Sequence, residues 1–249
     1  MNSKKFENVK FDELSMNEIE KAAKANRVVI LPIGSVEEHG DHLPLCTDSL
    51  QPEHVAYTVA MKTGSLVAPP IRYGVCNLTR NFPGTISINF ESLHRLIHDI
   101  LMEFVRNGFA KILVLSGHAG DSHMAALRLA AQEVLRYCKI NSPEIRLRIM
   151  VCSDYDFAYE LKGTHFSEKD GHAGTIETSR IMALRPDLVK TEGKTSFPKF
   201  PRFEIVTNPE TYFPTGTIGD PTMASVDKGR MINNYVVENV AKLVEELKK

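Results

Sequence analysis

Apolar residues along this chain fall into two patterns that alternate from end to end. RVVILPIG, residues 27–34, is a continuous apolar run of strand length closed by a glycine, which suits a strand buried on both faces. LVAPPI (66–71), ILVL (112–115) and IRLRIMVCS (145–153) predict three further strands. Between them the period changes. From Glu91 to Asn107 the apolar positions are 93, 96, 97, 100, 101, 104 and 105, which is helical spacing, and Gly108 supplies the stop. Residues 15–25 predict a helix, with Ser15 as cap and Glu18 three residues later. Helices are also predicted over 49–62, with Asp48 or Ser49 at the start, over 122–137, over 174–184 ahead of Pro186, and over the C-terminal MINNYVVENVAKLVEELKK. Strands alternating with helices predict an α/β layer fold with a mostly parallel sheet, formed as one domain over 1–249. One stretch resists both patterns. Residues 195–216 are rich in Pro and aromatic residues without a helical period, and read either as a packed surface loop or as a lid or subunit contact.

Composition narrows the class. The chain has 249 residues, enough to bury a full core, with 43% hydrophobic and 24% charged residues, an ordinary globular balance. Thirty basic and 31 acidic side chains leave a net charge of -1, so no charge excess steers the chain toward nucleic acid or an anionic membrane. Cys46, Cys76, Cys138 and Cys152 form no CxxC pair and read as reduced, mostly core thiols of a cytoplasmic protein. The first 15 residues lack the apolar core of a secretion signal, and no run approaches the ~18 apolar residues of a membrane span.

The candidate chemistry lies where strands end. In open parallel sheets ligands bind beyond the carboxyl ends of the strands. Two polar loops fall there: GSVEEHGDHLPLCTD (34–48), after the first strand, and SGHAGD (116–121), after the third. A third polar turn, DGHAGTIETS (170–179), leads into a helix. Glu37 and His39 are two apart, so on extended chain they face the same side. Asp48 follows nine residues after His39, His118 comes from the second loop, and Glu177 lies five residues beyond His172. Three carboxylates with two or three imidazoles suit Zn²⁺, Mn²⁺ or Fe²⁺ better than Ca²⁺. Spacing alone leaves a polar surface turn open beside a metal site. Arg72, Tyr73, Asn77 and Arg80 precede NFPGTIS and are candidate pocket residues. Arg80 with Lys199 or Arg202 is a candidate anion pair.

The run LPIGSVEEHGDHLPLCTD (31–48) resembles the signature of the creatininase (creatinine amidohydrolase) family. Four further stretches match in the same order: NFPGTIS (81–87), SGHAGDSH (116–123), DGHAGTIETSRIMAL (170–184) and PTGTIGDPTMASVDKG (214–229). The resemblance implies a three-layer α/β/α sandwich, two divalent metal ions (Zn, Mn or Fe) and hydrolysis of a C–N amide bond, cyclic or linear, by a metal-activated water. By the matching motifs it implies Glu37, His39, Asp48 and His118 as metal ligands, with Asp48 bridging. It implies His172 as catalytic histidine and Glu177 as catalytic acid and ligand to the second metal. It also implies a homo-oligomer, hexamer or dimer. Creatininase itself carries a carboxylate where this chain has Gly120, so the missing ligand is assigned to Glu177, with Asp121 as the alternative. The chain has no Trp, whereas creatininase closes its pocket with tryptophans, so a small-molecule amide other than creatinine is expected. Asp121, Tyr73, Arg80 and Gly171 are the expected substrate contacts. The alternatives are a formamide hydrolase of the archaeal riboflavin/F420 type, and a non-catalytic binding protein on the same fold.

Overall fold

A computed structural model describes residues 8–249; of the N-terminal stretch for which no secretion signal is expected, residues 1–7 lie outside the described residues. The described chain builds one parallel sheet in the order β2-β1-β3-β4, from β1 (Val29–Ile33), β2 (Leu66–Val67), β3 (Lys111–Ser116) and β4 (Arg148–Ser153). The connecting helices are α1 (Met16–Lys24), α2 (Thr47–Thr63), α3 (Phe90–Arg106), α4 (Asp121–Asn141), α5 (Tyr155–Ala158), α6 (Thr175–Leu184) and α7 (Val226–Lys248). The middle of each longer strand is apolar because successive side chains feed opposite layers. Val28, Ile30, Leu113 and Leu115 pack with Val55 and Val59 of α2 and with Val236, Val240 and Val244 of α7. Val29, Leu31, Ile33, Ile112 and Val114 pack with Leu93, Ile97 and Leu101 of α3 and with Leu127, Ala130 and Val134 of α4. The result is a three-layer α/β/α sandwich. Among the described residues no helix is long and apolar enough to cross a membrane.

The strand order fixes where a ligand binds. The chain leaves β1 toward β2 on one side, then returns across β1 to place β3 on the other. The carboxyl ends of β1 and β3, paired through Ile33 and Ser116, are therefore the point where the connections diverge, and a crevice opens there.

Several boundaries differ from the sequence pattern, each for a local reason. β2 stops at Val67, well short of Ile71, where Pro69 and Pro70 cannot donate ladder hydrogen bonds. β4 begins at Arg148, because the backbone at Ile145 and Leu147 bonds within its own turn. α2 begins at Thr47, so Asp48 lies inside its first turn rather than capping it. α7 begins five residues before Met231, capped by Ser225, whose Oγ accepts from Lys228 N–H. Residues 195–216 stay irregular apart from one 3-10 turn at Pro209–Thr211. As expected, Glu18 accepts from the Ser15 N–H at 2.8 Å at the start of α1.

Gly229, in the first turn of α7, is where α6 and α7 meet. A Cβ there would lie 1.8 Å from the Ser179 carbonyl oxygen of α6. Gly229→Ala gains helix propensity but forces the two helices apart, a net loss of about 1–3 kcal/mol. At roughly 2–4 °C per kcal/mol for a chain of this size, the expected Tm falls by at least about 2 °C. A thermal melt that is unchanged or raised would show that this contact does not set the α6–α7 spacing.

Candidate metal centre

Asp48 is placed by two close backbone approaches. Gly34 follows β1 and Gly117 follows β3, and a Cβ at either would lie within 2.5 Å of the Asp48 carbonyl oxygen. Those contacts press the first turn of α2 into the crevice and point the Asp48 side chain across it. Its two oxygens face different partners. Oδ1 lies 3.1 Å from His39 Nε2, and the same nitrogen lies 3.4 Å from Glu177 Oε2. Oδ2 lies 3.0 Å from His118 Nδ1, which lies 3.0 Å from Glu37 Oε2. The five side chains from three separate loops thus form two groups joined by one carboxylate, and all five are buried.

The opposite edges of both rings are already committed. His39 Nδ1 is 3.1 Å from the Glu37 carbonyl oxygen, and His118 Nε2 is 3.0 Å from that of Val75. Each ring donates N–H there, which leaves a lone pair on His39 Nε2 and on His118 Nδ1, aimed at carboxylate oxygens. Lone pairs facing carboxylates are satisfied by a proton or by a cation, and Glu37 Oε2 is buried with no hydrogen-bond donor. This donor set of carboxylate oxygens and imidazole nitrogens fits a divalent transition metal.

The surrounding residues hold the donors in place. Thr79 Oγ donates to Glu37 Oε1, and Ser35 Oγ donates to Asp48 Oδ2 at 2.6 Å. His123, fully buried, accepts Val75 N–H at Nδ1 and donates from Nε2 to Ser116 Oγ, which donates to the His118 carbonyl. Burial holds His123 well below the ordinary imidazole range, so it stays neutral in this role. Asp170 accepts from Thr175 N–H and Ile176 N–H and so starts α6, which puts Glu177 in its first turn. Glu177 Oε2 then accepts Ala173 N–H at 2.6 Å. Ala173 has φ +52°, a left-handed conformation costing an alanine about 1 kcal/mol, and the hydrogen bond to Glu177 offsets it. Ser35 and His123 lie within the matching stretches but are not among the expected site residues, and Thr79 carries no sequence signal of its own because it acts on Glu37, 42 residues away.

His172 stands at the mouth of the centre, its ring centroid 4.2 Å from that of His39. Its Nε2 donates to the Glu38 carbonyl oxygen at 2.8 Å, with Glu38 Oε1 at 3.3 Å. The last matching stretch holds this turn: Ile218 N–H donates to the His172 carbonyl, and Gly171 N–H donates to Ile218 O. NFPGTIS holds the first loop in the same way, through Ile86 N–H to Val36 O and Glu38 N–H to Thr85 Oγ1.

A cavity of about 580 Å³ opens over the centre. It is lined by Glu37, Asp48, His118, His172 and Glu177 at its base, with Tyr155, Tyr159, Leu78 and Phe200 as apolar walls. Asn77, Asp121 and Glu204 supply further polar groups, and none of the lining residues is Lys or Arg. Of the expected substrate contacts only Asp121 lines this space. Tyr73 and Arg80 lie outside the lining, exposed to solvent, and Gly171 packs against Ile218. Arg80, Lys199 and Arg202 do not meet at the cavity.

Burial pushes the His39 and His118 imidazoles down, but the facing carboxylates outweigh it: Asp48 and Glu177 raise His39, and Glu37 and Asp48 raise His118, both well above the ordinary range. Burial raises Asp48, and the two imidazoles outweigh it and hold that carboxyl well below its usual range. Protons and a divalent cation compete for the same lone pairs. Because these protons are retained above the ordinary histidine pKa of about 6.5, affinity for Zn²⁺ should keep rising with pH between about 6.5 and 8, with protons released on binding. Calorimetry in buffers of different ionisation enthalpy reads both quantities. An affinity flat across that range, with no proton release, would contradict the assignment of those lone pairs.

A family model described as "Creatininase: Creatinine amidohydrolase" matches residues 12–244. The chain is 30% identical to the creatinine amidohydrolase of Pseudomonas putida, over 94% of this chain and 95% of that protein. It is 31% identical to the mycofactocin precursor peptide peptidase of Mycolicibacterium smegmatis, over 86% and 83%. Among solved structures, a creatininase described as the manganese form superposes with a TM-score of 0.84 at 28% identity, covering 96% of this chain and 98% of that one. The fold and a match running almost the whole length of the sequence place this chain in the creatininase family of hydrolases.

Proposed function

We propose that this protein is a metal-dependent amidohydrolase that cleaves a C–N bond in a small uncharged or cationic amide. The observation that carries the reading is Asp48, whose two carboxylate oxygens each face a separate imidazole–carboxylate pair. Glu37, His118 and Asp48 would hold one divalent ion, and His39, Glu177 and Asp48 the second. Bound there, such ions supply Lewis acidity toward a carbonyl and bring the ionisation of water down toward neutral pH.

The chain's own residues supply the rest. His172 lines the cavity beside the centre, and its Nε2–H is held by the Glu38 carbonyl. Burial and His39 both lower its pKa, yet the hydrogen bond to Glu38 and the Glu37 and Glu177 carboxylates raise it above the ordinary value. A histidine that keeps its proton near neutral pH suits a general acid, and amide cleavage requires one because an amide anion is a poor leaving group. Tyr155, Tyr159 and Phe200 exclude water from one wall and give a planar amide an aromatic surface.

The charge of the cavity bears on the substrate. A Methanococcus voltae relative, 24% identical, is named a deformylase of a 5′-monophosphate. A phosphate in this cavity would find Asp121 and Glu204 and no Lys or Arg. The formamide-hydrolase alternative is therefore the weaker reading for a phosphorylated substrate, and a neutral or cationic amide the stronger one.

Three experiments follow. Elemental analysis should find about two transition-metal ions per chain in the wild type and close to none in Asp48→Ala. His172→Ala should keep its metal while kcat falls about 10²–10⁴-fold; loss of metal from that variant would move His172 from acid to ligand. In a substrate screen of cyclic ureides, formamides and short peptides, uncharged and cationic compounds should be turned over in preference to matched phosphate-bearing ones. A preference for the phosphorylated partner would sink the charge argument.

A further inference from the structure

Of the four cysteines, three are accounted for by packing or position. Cys138 and Cys152 lie in the two apolar layers, and Cys46 is partly exposed at the start of α2. Cys76 is different. It is 1% exposed, yet it lies outside the apolar layers and faces the metal centre. Its sulfur, a Glu37 carboxylate oxygen and a His118 ring nitrogen all lie within 4.8 Å of one another. Among the described residues no other cysteine joins such a group.

The backbone around Cys76 is tied to that position. Its N–H donates to Ser87 Oγ at 2.9 Å, and the preceding carbonyl, Val75 O, holds the far edge of the His118 ring. The second, independent sign of a ligand is Glu37 Oε2. This oxygen is buried and accepts no hydrogen bond unless His118 Nδ1, 3.0 Å away, carries a proton, while Thr79 occupies the other oxygen of the same carboxylate. A soft sulfur, a carboxylate oxygen and an imidazole nitrogen therefore border one space, and Asp48 Oδ2 lies 3.0 Å from His118 Nδ1.

We propose that Cys76 coordinates the metal held by Glu37, His118 and Asp48, as a thiolate whose proton is released to solvent when the ion binds. This rests on the reading that the centre holds two divalent ions. It makes the two halves chemically unequal. The Cys76 half has four donors including sulfur, the closed tetrahedral set typical of Zn²⁺. The His39–Glu177 half has only nitrogen and oxygen donors, one imidazole and two carboxylates, with a position left for substrate or water, and accepts harder ions such as Mn²⁺. The two halves would then load with different metals from a mixed supply.

Cobalt titration of the full-length protein, stripped of metal beforehand, tests this. Wild type should show a near-ultraviolet thiolate-to-cobalt charge-transfer band together with visible d–d bands. Cys76→Ser should lose the charge-transfer band and keep the d–d bands, whereas Cys46→Ser should keep both. The preference for Zn²⁺ over Mn²⁺ should fall in Cys76→Ser by about tenfold or more, at least the scale on which losing a ligand's supporting partner acts. Visible bands in wild type without the charge-transfer band would overturn the role of Cys76 and leave the two-ion centre standing. No cobalt uptake would overturn both. Where Cys76→Ser fails to fold, X-ray absorption on zinc-loaded wild type decides: a sulfur neighbour at about 2.3 Å supports the proposal, and its absence removes it.

Discussion

The centre is organised around one buried carboxylate shared between two imidazoles. Asp48 lies in the first turn of α2, where the helix dipole favours negative charge. It is 2% exposed, and a buried carboxylate stays ionised only beside compensating positive charge. Here that charge resides on His39 and His118 or on ions that replace their protons. Glu37 and Glu177 add two further buried carboxylates to the same small volume. Three acids in one dry crevice are costly unless cations hold them together, so the site has the electrostatics of a cation receptor.

The fold makes this arrangement possible. Parallel strands ending side by side deliver backbone from β1 and β3 to one edge, and the divergence of their connections leaves space there. The small residues at Gly34 and Gly117 let α2 enter that space, carrying Asp48 with it. The loop before α6 and the segment 214–219 close over the top, and the turn at Ala173 accepts a strained backbone so that His172 and Glu177 face inward together. Each of the five stretches that match the family contributes either a donor or the hydrogen bonds that hold one.

The cavity above the centre has a character of its own. Part of the irregular segment 195–216 reaches it through Phe200, Pro201, Glu204, Val206 and Pro209, so this segment shapes the mouth rather than the core. Its aromatic members also pack among themselves, Phe200 against both Tyr212 and Phe213. Under the proposed function the candidate metal centre would set what bond is cleaved, and this wall, with Tyr155 and Tyr159, would set what shape and charge are admitted. The same centre can therefore serve different substrates as the wall varies.

Much of this was legible in the sequence because secondary structure and loop position are local. Periodicity over a few residues identified all four strands and the long helices; the placement of Glu37, His39 and His118 after apolar runs put them at strand ends, and Asp48 at a helix start. Pairings across long separations were not legible. Nothing in the spacing indicates that the two oxygens of Asp48 divide between His39 and His118, or that Thr79 reaches back 42 residues to Glu37. Tyr73 and Arg80 read as pocket residues, because a one-dimensional pattern does not say which way an irregular segment turns. Those outcomes depend on how layers pack and where a helix is allowed to approach. The sequence by itself thus determined the elements and the kinds of donor at their ends, while only tertiary packing decided which donors meet, since ångström-scale distances between remote side chains are set by close-packed contacts rather than by local periodicity.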